Sequence, residues 1–450
     1  MYAIGVNASM MSLASRSIGL CDCNNFFVSC ERRENPALEQ RPVVVLSGND
    51  GCVVARSNEV KAMGVPMGVP YFKVRELLER NRAVVLSGRL SLYNRISAEV
   101  MGRLARFSDA TEVYSIDEGF LNLAVGSITD PQAYCDEIRS DIRKHCGIPV
   151  SIGISATKTL AKLASHYAKH TERGVHWIDD KLRADSAWMS QFPLSEVWGI
   201  GRRSAEKFAS FYNIRTAADL IQADDLVLKD KFSVNALYTA WELRGFSVFP
   251  VSTVVKPPKS IQVSRSFGDA VYSYEELLEA VLYFTLSAAR QLRAAGQRAS
   301  RMGLFIATNR FQPENYYLGE EEKRFSSSKA LDQDFLIPAK FIFDRIFRPG
   351  CGYKKAGVLL CDFSDVTFGV QQQLFCEEAE KSLDERQLTA ASVSDGLNRE
   401  FGRIVIASAD NYGAPGRGSR WYPKREHAAE SSAHYDKPQL PLYPHRRVGF

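Results

Sequence analysis

The order of predicted elements between residues 18 and 154 limits this chain to few folds. An apolar strand, Ile18 to Cys21, runs directly into Asp22, and a helical insert separates it from two more β-prone segments. A helix and a final strand complete the series. This order is the split βαββαβ arrangement, in which the first strand and the central hairpin lie side by side. Acidic side chains at the ends of these strands would then meet at one edge of the sheet.

The central hairpin and the helix after it carry the clearest local signals. The β-prone segments 113–116 and 120–123 flank Asp117-Glu118-Gly119, which we predict to be the tip of the hairpin. Asp130 and Pro131 supply an N-cap and a first-turn proline for a helix that stops at Gly147. The last strand of the series is predicted at residues 150–154.

Length and composition limit the class of protein. A chain of 450 residues has room for about three domains, and its 45% hydrophobic and 24% charged content is that of a globular protein. The net charge of +5 is a mild excess, so only the distribution of charge can indicate a nucleic-acid partner. The nine cysteines are scattered and form no zinc-binding pattern, which favours reduced thiols.

Membrane and export signals are not found in the sequence. No segment approaches the roughly 20 consecutive apolar residues of a membrane helix, and no basic region precedes an apolar run near the N-terminus. We therefore expect a cytoplasmic protein with no membrane partner. Residues 1–17 are expected to form a poorly structured extension.

The insert and the middle of the chain have different patterns. The insert contains its own predicted hairpin, with strands at 43–46 and 52–54 joined by the turn Gly48-Asn49-Asp50-Gly51. From about residue 186 to residue 250 only short helices are predicted, which indicates a separate helical module. The paired prolines within residues 254–259 predict an extended tether after this module.

A further domain is predicted to begin near Ser260. It contains a long helix from about Ser273 to Ala295, strands at 303–308 and 357–360, and a helix near 338–346. Residues 361–450 become polar and rich in Gly, Pro and Arg, which is typical of a partly ordered tail. The chain is thus an α+β protein of several domains.

Three acidic residues are the candidate metal ligands. Two divalent ions that lie about 3.5–4 Å apart can stabilise an attacking and a leaving oxygen. Such ions need clustered oxygen ligands. Asp22, Asp117 and Glu118 offer three such carboxylates. Taken alone, an Asp-Glu pair at a hairpin tip is also ordinary turn chemistry. The neighbouring residues decide between these two interpretations.

Those neighbours resemble a known family. The motifs DCNNFFVSCE at 22–31, PVVVL at 42–46, NDGCV at 49–53, SIDE at 115–118, GIS at 153–155 and VWGIGRR at 197–203 follow one another in order. Together they are similar to the Y-family translesion DNA polymerases, and within that family to the UmuC-type catalytic subunits of bacterial DNA polymerase V. The resemblance covers roughly residues 18–375 and implies a right-hand polymerase with a little finger.

The resemblance also implies how the chain is divided. The palm would comprise residues 18–31 and 96–185, the small fingers 32–95, and the thumb with its helix-hairpin-helix 186–253. The α/β little finger would follow at 254–362, and residues 363–450 would be a C-terminal tail.

By the same resemblance, the site residues take named roles. Asp22, Asp117, Glu118 and the backbone carbonyl of Cys23 would hold two Mg²⁺ ions, with the three carboxylates as the catalytic residues. Phe27 would be the steric gate that excludes a 2′-hydroxyl, and Phe26 would also contact the nucleotide, with simple core packing as its alternative. Further nucleotide contacts would come from Lys61 and Lys162. Asn58 departs from the Tyr of some relatives, which puts a phosphate contact there in doubt.

Two basic regions are candidates for DNA binding. The hairpin within 194–214 can direct backbone N–H groups at a DNA phosphate, although a plain helix–helix corner is the alternative. Its candidate residues are Gly199, Gly201, Arg202 and Arg203. Basic residues also exceed acidic ones between 254 and 310, as expected of a surface that follows phosphates, although a solvated helix face can account for Arg290 and Arg293. The candidates there are Lys256, Lys259, Arg265, Arg298, Arg301 and Arg310.

A short peptide after the last predicted strand completes the pattern. Gln371, Leu374 and Phe375 match the Gln-x-x-Leu-Phe peptide with which bacterial polymerases bind the β sliding clamp. The resemblance implies error-prone synthesis past damaged DNA in the SOS response, with primer-template DNA and deoxynucleoside triphosphates as substrates. It also implies a cleaved UmuD dimer and a RecA-type recombinase filament as partners. The alternatives are a non-catalytic DNA- and clamp-binding factor at stalled forks and, less compatible with the later motifs, a nucleotide cyclase.

Overall fold

The structure is a computed structural model, and it describes residues 16–124, 130–254, 257–365 and 386–396, together with His427. These residues form two compact units. One unit combines the chain up to residue 41 with the chain from 92 onward through the helical module, and the other combines residues 42–91 with the chain after the tether. Lys256 and the predicted clamp peptide, Gln371 to Phe375, lie outside the described residues. None of the described helices is long and apolar enough to cross a bilayer.

The first unit is built on a five-stranded sheet in the order β5-β6-β1-β7-β8. Its strands are β1 (Arg16–Cys23), β5 (Thr111–Val113), β6 (Glu118–Ala124), β7 (Val150–Ser155) and β8 (Val175–Trp177). Strand β1 pairs antiparallel with both β6 and β7, so the predicted split βαββαβ arrangement is confirmed. The first strand and the central hairpin are therefore neighbours.

Helices cover this sheet and connect its strands. They are α1 (Phe26–Glu34), α4 (Leu90–Leu104), α5 (Pro131–Cys146) and α6 (Lys158–Ala168). The Asp130 side chain accepts hydrogen bonds from the N–H groups of Gln132 and Ala133, and Gly147 ends α5 at a φ of 70°, as the sequence predicts. The predicted hairpin tip is wrong by two residues, because Glu118 and Gly119 already belong to β6. The N–H groups of Tyr114 and Ser115 both donate to the Glu118 carbonyl, which moves the turn earlier in the chain.

One glycine fixes how closely α6 approaches the sheet. A Cβ atom at Gly153 in β7 would lie 2.0 Å from the backbone N of Ser165 and 2.3 Å from the carbonyl oxygen of Ala161. Only glycine permits this contact between a strand and a helix backbone. The side chains of α6 are therefore held at a fixed height above the sheet.

The helical module continues the first unit. Its helices are α7 (Asp180–Ala184), α8 (Ser186–Met189), α9 (Arg202–Tyr212), α10 (Ala217–Gln222), α11 (Asp225–Lys231) and α12 (Val234–Leu243), as predicted for this region. Buried side chains of this module share a core with Leu160 and Leu163 of α6. Glu242, fully buried in α12, accepts hydrogen bonds from the N–H groups of Thr159, Val248 and Phe249 at 2.7–3.0 Å. The module is thus joined to the start of α6.

The second unit contains two sheets. The smaller has the order β3-β2-β4, from β2 (Val43–Leu46), β3 (Val53–Arg56) and β4 (Val84–Ser87), with α2 (Asn58–Ala62) and α3 (Arg75–Arg80) beside it. The predicted hairpin of β2 and β3 is confirmed. Strand β4, which pairs parallel with β2, was not predicted, since it follows two helices and a run of turns.

The larger sheet has the order β11-β10-β12-β9, and every pair is antiparallel. Its elements are β9 (Ser260–Val271), α13 (Tyr274–Ala294), β10 (Gln297–Ala307), β11 (Leu318–Lys329), α14 (Asp332–Ile346) and β12 (Tyr353–Asp365). The long helix is confirmed. Helix α14 begins six residues before the predicted start, with Pro338 inside it. Residues 386–396 form a further helix, whose Asp395 receives two hydrogen bonds from Arg293, at 2.7 and 2.9 Å.

Candidate active site

Two of the predicted carboxylates face each other across neighbouring strands. Asp22, near the end of β1, is the direct antiparallel partner of Glu118, the first residue of β6. Directly opposed residues of antiparallel strands project their side chains to the same face. The backbone N–H of Cys23 donates to the carbonyl oxygen of Asp117 at 2.8 Å, which holds Asp117 beside the end of β1. The strand ends thus bring Asp22, Asp117 and Glu118 together.

Two lysines on α6 and at its end supply the opposite charge. Lys162 Nζ lies 2.7 and 3.0 Å from the two carboxylate oxygens of Glu118. Lys169, the residue that follows α6, places Nζ 2.6 Å from Oδ2 of Asp22. Lys162 was predicted to contact the nucleotide, whereas Lys169 had no predicted site role. Their spacing of seven residues is two helical turns, which puts both on one face of a helix, and that signal could have identified Lys169.

The protonation equilibria reflect this crowding of charge. Burial raises the pKa of Asp22 to about 7, the Lys169 ammonium opposes the rise, and the Glu118 carboxylate adds to it. Burial also raises the pKa of Asp117 against a hydrogen bond from Ser115. Burial acts in the same direction on Glu118, but the Lys162 ammonium and a hydrogen bond from Asp22 leave the pKa of Glu118 below its ordinary value. A buried site that disfavours negative charge in this way gains from a bound cation.

The donor atoms are suited to a hard divalent cation. Carboxylate and carbonyl oxygens are the ligands that Mg²⁺ prefers. Within the ranges that the structure describes, no three His, Cys, Asp or Glu side chains lie close enough together, as they stand, to hold a metal ion. Lys162 and Lys169 instead neutralise Glu118 and Asp22. The residues therefore fit Mg²⁺ in chemical type, and Asp22, Asp117, Glu118 and the backbone carbonyl of Cys23 are those that would hold it.

The two adjacent phenylalanines have different environments. Phe26 is buried, with 4% of its surface exposed, which favours the core-packing alternative for its side chain. Phe27 is half-buried and stacks on Tyr93, with ring centroids 4.3 Å apart and planes 15° from parallel. The Tyr93 hydroxyl donates to Glu31 Oε1 at 2.6 Å, and both residues are buried. One face of the Phe27 ring is therefore supported by a fixed neighbour.

The predicted hairpin lies between a short helical turn and α9. Gly199 adopts a φ of 88°, a left-handed conformation that favours glycine, and Gly201 is the N-cap residue of α9. Arg202 and Arg203 are exposed at the start of α9, and Arg202 forms an exposed ion pair with Glu206. Trp198, directly before Gly199, donates its indole N–H to the Tyr114 hydroxyl at 2.9 Å.

The predicted basic residues of the second unit are not equivalent. Lys61, Lys259 and Arg310 are exposed, whereas Arg265 and Arg298 are half-buried. Arg265 lies on the same face of β9 as Ile261 and Val263, because alternate residues of a strand project to one face. Its guanidinium lies over the Tyr283 ring of α13. That orientation is toward the helices that cover the sheet.

Arg301 is held by two acidic side chains. Its guanidinium lies 3.0 Å from Glu322 and 2.9 Å from Asp362, across both neighbouring strands of the sheet. Those two carboxylates neutralise much of the charge that a DNA phosphate would meet. A phosphate contact from Arg301 would have to compete with both ion pairs.

The fold has a counterpart among solved structures. A Y-family DNA polymerase chimera built from Dbh and Dpo4 superposes with a TM-score of 0.61 and 19% identity, covering 77% of this chain and 98% of the chimera. At that identity the likeness shows the fold alone. The class defined is the right-hand Y-family polymerase fold, α+β in several domains.

Sequence comparison gives the family. The impB/mucB/samB family matches residues 21–166, and the C-terminal domain of the same family matches residues 258–374. UmuC of Salmonella typhimurium is 36% identical over 412 residues, which cover 90% of this chain and 95% of UmuC. MucB of Escherichia coli is 35% identical over 384 residues, covering 84% of this chain and 90% of MucB. DNA polymerase IV of Streptococcus thermophilus is 27% identical, covering 78% of this chain and 94% of that protein.

The chain belongs to the impB/mucB/samB family of Y-family polymerases, in which its similarity to UmuC spans nearly the full length of both proteins. It is accordingly a DNA-directed DNA polymerase.

Proposed function

We propose that this polymerase carries out error-prone, template-directed synthesis past damaged DNA as part of the SOS response, by nucleotidyl transfer with two Mg²⁺ ions. The observation that carries the proposal is the direct pairing of Asp22 with Glu118, next to Asp117, at the ends of two interior strands of the first sheet. Similarity to UmuC, MucB and DNA polymerase IV supports it.

The mechanism assigns a task to each side chain of the site. Mg²⁺ held by the three carboxylates would supply the charge that activates the primer 3′-hydroxyl and stabilises the leaving pyrophosphate. Lys162, now paired with Glu118, would turn toward the triphosphate once the carboxylate has another cation. Phe27, supported by Tyr93, would face the sugar and exclude a 2′-hydroxyl. Lys61 would add a further triphosphate contact.

The domains and partners follow from the same proposal. Residues 18–31 with 96–185 would act as palm, 32–95 as fingers, 186–253 as thumb and 254–362 as little finger. Gly199, Gly201, Arg202 and Arg203, with the basic residues of the little finger, would hold primer-template DNA. Gln371, Leu374 and Phe375 would bind the β sliding clamp. A cleaved UmuD dimer and a RecA-type filament would complete the assembly, in the cytoplasm.

A non-catalytic DNA- and clamp-binding factor is the competing proposal. Such a factor has no need for three carboxylates beside a half-buried lysine, Lys162, and an exposed one, Lys169. Asp22 is 6% exposed and has a raised pKa, and a charged group is costly to retain at such a site unless it binds something.

Primer extension tests the proposal. Asp117→Ala should abolish Mg²⁺-dependent extension and leave the dissociation constant for primer-template DNA nearly unchanged. Asp180→Asn, an exposed aspartate in α7, is the control. Extension by Asp117→Ala at the wild-type rate would refute the metal site. An abasic template, with and without a cleaved UmuD partner, tests lesion bypass separately, and failure to pass the lesion in both conditions would contradict it.

A further inference from the structure

Tyr114 supports the ammonium group of Lys162. Tyr114 lies in the turn before β6, where its backbone N–H donates to the Glu118 carbonyl at 3.0 Å. The Nζ atom of Lys162 lies 4.7 Å from the centroid of the Tyr114 ring and 2.7 Å from Glu118 Oε2. The ammonium therefore lies between a ring face and a carboxylate, and cation–π attraction holds it over the ring.

The Tyr114 ring is itself held by the hairpin of the helical module. The Trp198 indole N–H donates to the Tyr114 hydroxyl at 2.9 Å, and the two rings meet edge to face with centroids 5.6 Å apart. Phe120, fully buried, packs edge to face on another side of Tyr114, also at 5.6 Å. Phe249 packs against Trp198. Tyr114 thus has little freedom to move unless Trp198 moves.

Trp198 connects this cluster to the candidate DNA-binding hairpin. It is the residue before Gly199, whose positive φ sets the direction of the hairpin. A DNA phosphate bound by the hairpin N–H groups would fix the backbone one residue from the indole. The position of the Tyr114 ring would be fixed with it.

We infer that Tyr114 is a positioning residue for Lys162, and that Trp198 makes this positioning depend on the hairpin that binds DNA. The inference rests on the proposed function, because Lys162 must contact the triphosphate for its position to matter. Once Lys162 leaves Glu118, the Tyr114 ring keeps its ammonium within reach of the nucleotide. Nucleotide affinity is therefore higher when the hairpin is engaged with DNA.

Removal of the single hydrogen bond tests the inference. Tyr114→Phe retains the ring and loses the acceptor, and Trp198→Phe retains an aromatic ring and loses the donor. Each should raise KM for the incoming nucleotide about 3- to 10-fold, the loss expected for one hydrogen bond, with kcat within about twofold. The double variant should match either single variant, since both remove the same bond.

Matched controls separate positioning from stability. Tyr134→Phe removes a tyrosine hydroxyl that donates to the Phe107 carbonyl, and Trp241→Phe removes an indole N–H that donates to Asp225. Both lie in the same unit as the site, and neither contacts it. They should lower the melting temperature by a similar amount and leave KM unchanged. Equal KM effects in controls and test variants, or additive effects in the double variant, would overturn the inference.

The dependence on DNA has its own measurement. Equilibrium binding of a deoxynucleoside triphosphate, with Ca²⁺ in place of Mg²⁺, should tighten on addition of primer-template DNA in the wild type. Trp198→Phe should reduce that gain about 3- to 10-fold, as expected for one hydrogen bond, and an undiminished gain would overturn the coupling. Lys162→Met distinguishes failure of the proposed nucleotide role of Lys162 from failure of the inference about Tyr114 and Trp198. If Lys162→Met leaves KM unchanged, the nucleotide role of Lys162 fails and the inference fails with it. If Lys162→Met raises KM while Tyr114→Phe and Trp198→Phe do not, the inference alone fails.

Discussion

The Nζ atom of Lys169 lies 2.6 Å from Oδ2 of Asp22, at the strand ends where Glu118 faces the same aspartate. An ammonium group thus neutralises one carboxylate of the pair. The Lys169 side chain is 38% exposed, whereas the Asp22 side chain is only 9% exposed. Loss of the lysine would leave a buried charge without its cation.

Lys169→Met is therefore expected to destabilise the metal-free protein and to be partly rescued by Mg²⁺. Since the lysine is exposed to water, we expect a loss of only about 1 kcal/mol in the free energy of unfolding. Mg²⁺ should reduce that loss, because a bound cation replaces the missing ammonium. Urea unfolding with EDTA and with Mg²⁺ measures both values. Lys207→Met, an exposed lysine of α9, should show no such dependence. An Mg²⁺-independent loss in Lys169→Met would contradict the prediction.

Phe27→Ala should admit ribonucleotides. The Phe27 ring cannot move toward Tyr93 to make room for a larger sugar, because the two ring centroids are already 4.3 Å apart. Removal of the ring opens space for a 2′-hydroxyl, and a steric preference of this kind is worth roughly 10- to 200-fold in kcat/KM. Single-nucleotide incorporation of a matched ribonucleotide and deoxyribonucleotide measures the ratio. Phe26→Leu, a change inside the core, should retain the wild-type ratio. An unchanged ratio in Phe27→Ala would remove the gate assignment.

A buried ion pair beside the site should matter for stability more than for chemistry. Lys158 Nζ lies 2.5 Å from Glu112 Oε2, both side chains are less than 10% exposed, and Glu112 also accepts the Ser252 N–H. Lys158→Met leaves the Glu112 carboxylate buried without its cation, at a cost of about 3–5 kcal/mol. Urea unfolding measures the loss. The double variant Lys158→Met/Glu112→Gln should recover much of it, and a double variant as unstable as Lys158→Met would argue against the charge explanation.

The sequence predicted those parts of the fold that local patterns specify. The alternation of apolar residues and the Asp130-Pro131 start identified strands of the five-stranded sheet and α5, and two adjacent carboxylates led to the candidate site. Lys169 was missed because its spacing from Lys162 indicates only a shared helical face, whereas its partner, Asp22, lies 147 residues away in the chain. Strand β4 was missed for a related reason, since it joins the three-stranded sheet through parallel pairing with β2 across two intervening helices. Non-local pairing of this kind leaves no local signal.

Two further predictions, the DNA contact of Arg301 and the start of α14, failed to take account of tertiary contacts. Arg301 was predicted to bind DNA from its place in a basic stretch, but Glu322 and Asp362 lie on separate strands that reach it only in the folded sheet. Helix α14 was predicted near 338–346, a start that would place Pro338 in the first turn, where proline is tolerated. In the structure α14 begins at Asp332, and Phe335, Leu336, Ala339, Ile342, Phe343 and Ile346 bury its apolar face. Tertiary burial on both sides of the proline therefore outweighs its local preference.

Point changes in the clamp peptide should separate clamp binding from polymerase activity. Leu374→Ala/Phe375→Ala removes both apolar anchors, so stimulation by the β sliding clamp should be lost while basal extension remains. Truncation before Gln371 is a poorer test, because it also removes Asp395, which receives two hydrogen bonds from the buried Arg293. Primer extension with and without the clamp measures stimulation. Full stimulation of the double variant would refute the peptide as the docking element.

Release of Arg301 from its ion pairs should strengthen DNA binding. Glu322 lies 3.0 Å from the guanidinium and is itself half-exposed, so Glu322→Gln removes one competing charge without burying another. If the open face of this sheet follows DNA phosphates, the variant should bind primer-template DNA more tightly, and the slope of log K against log salt should steepen by at most about one phosphate contact. Fluorescence anisotropy at several salt concentrations measures both quantities. Glu321→Gln is the matched control, because its carboxylate pairs with Arg345 of α14 instead. Equal gains in the two variants would indicate a general change in net charge, and no gain in either would place Arg301 away from the DNA.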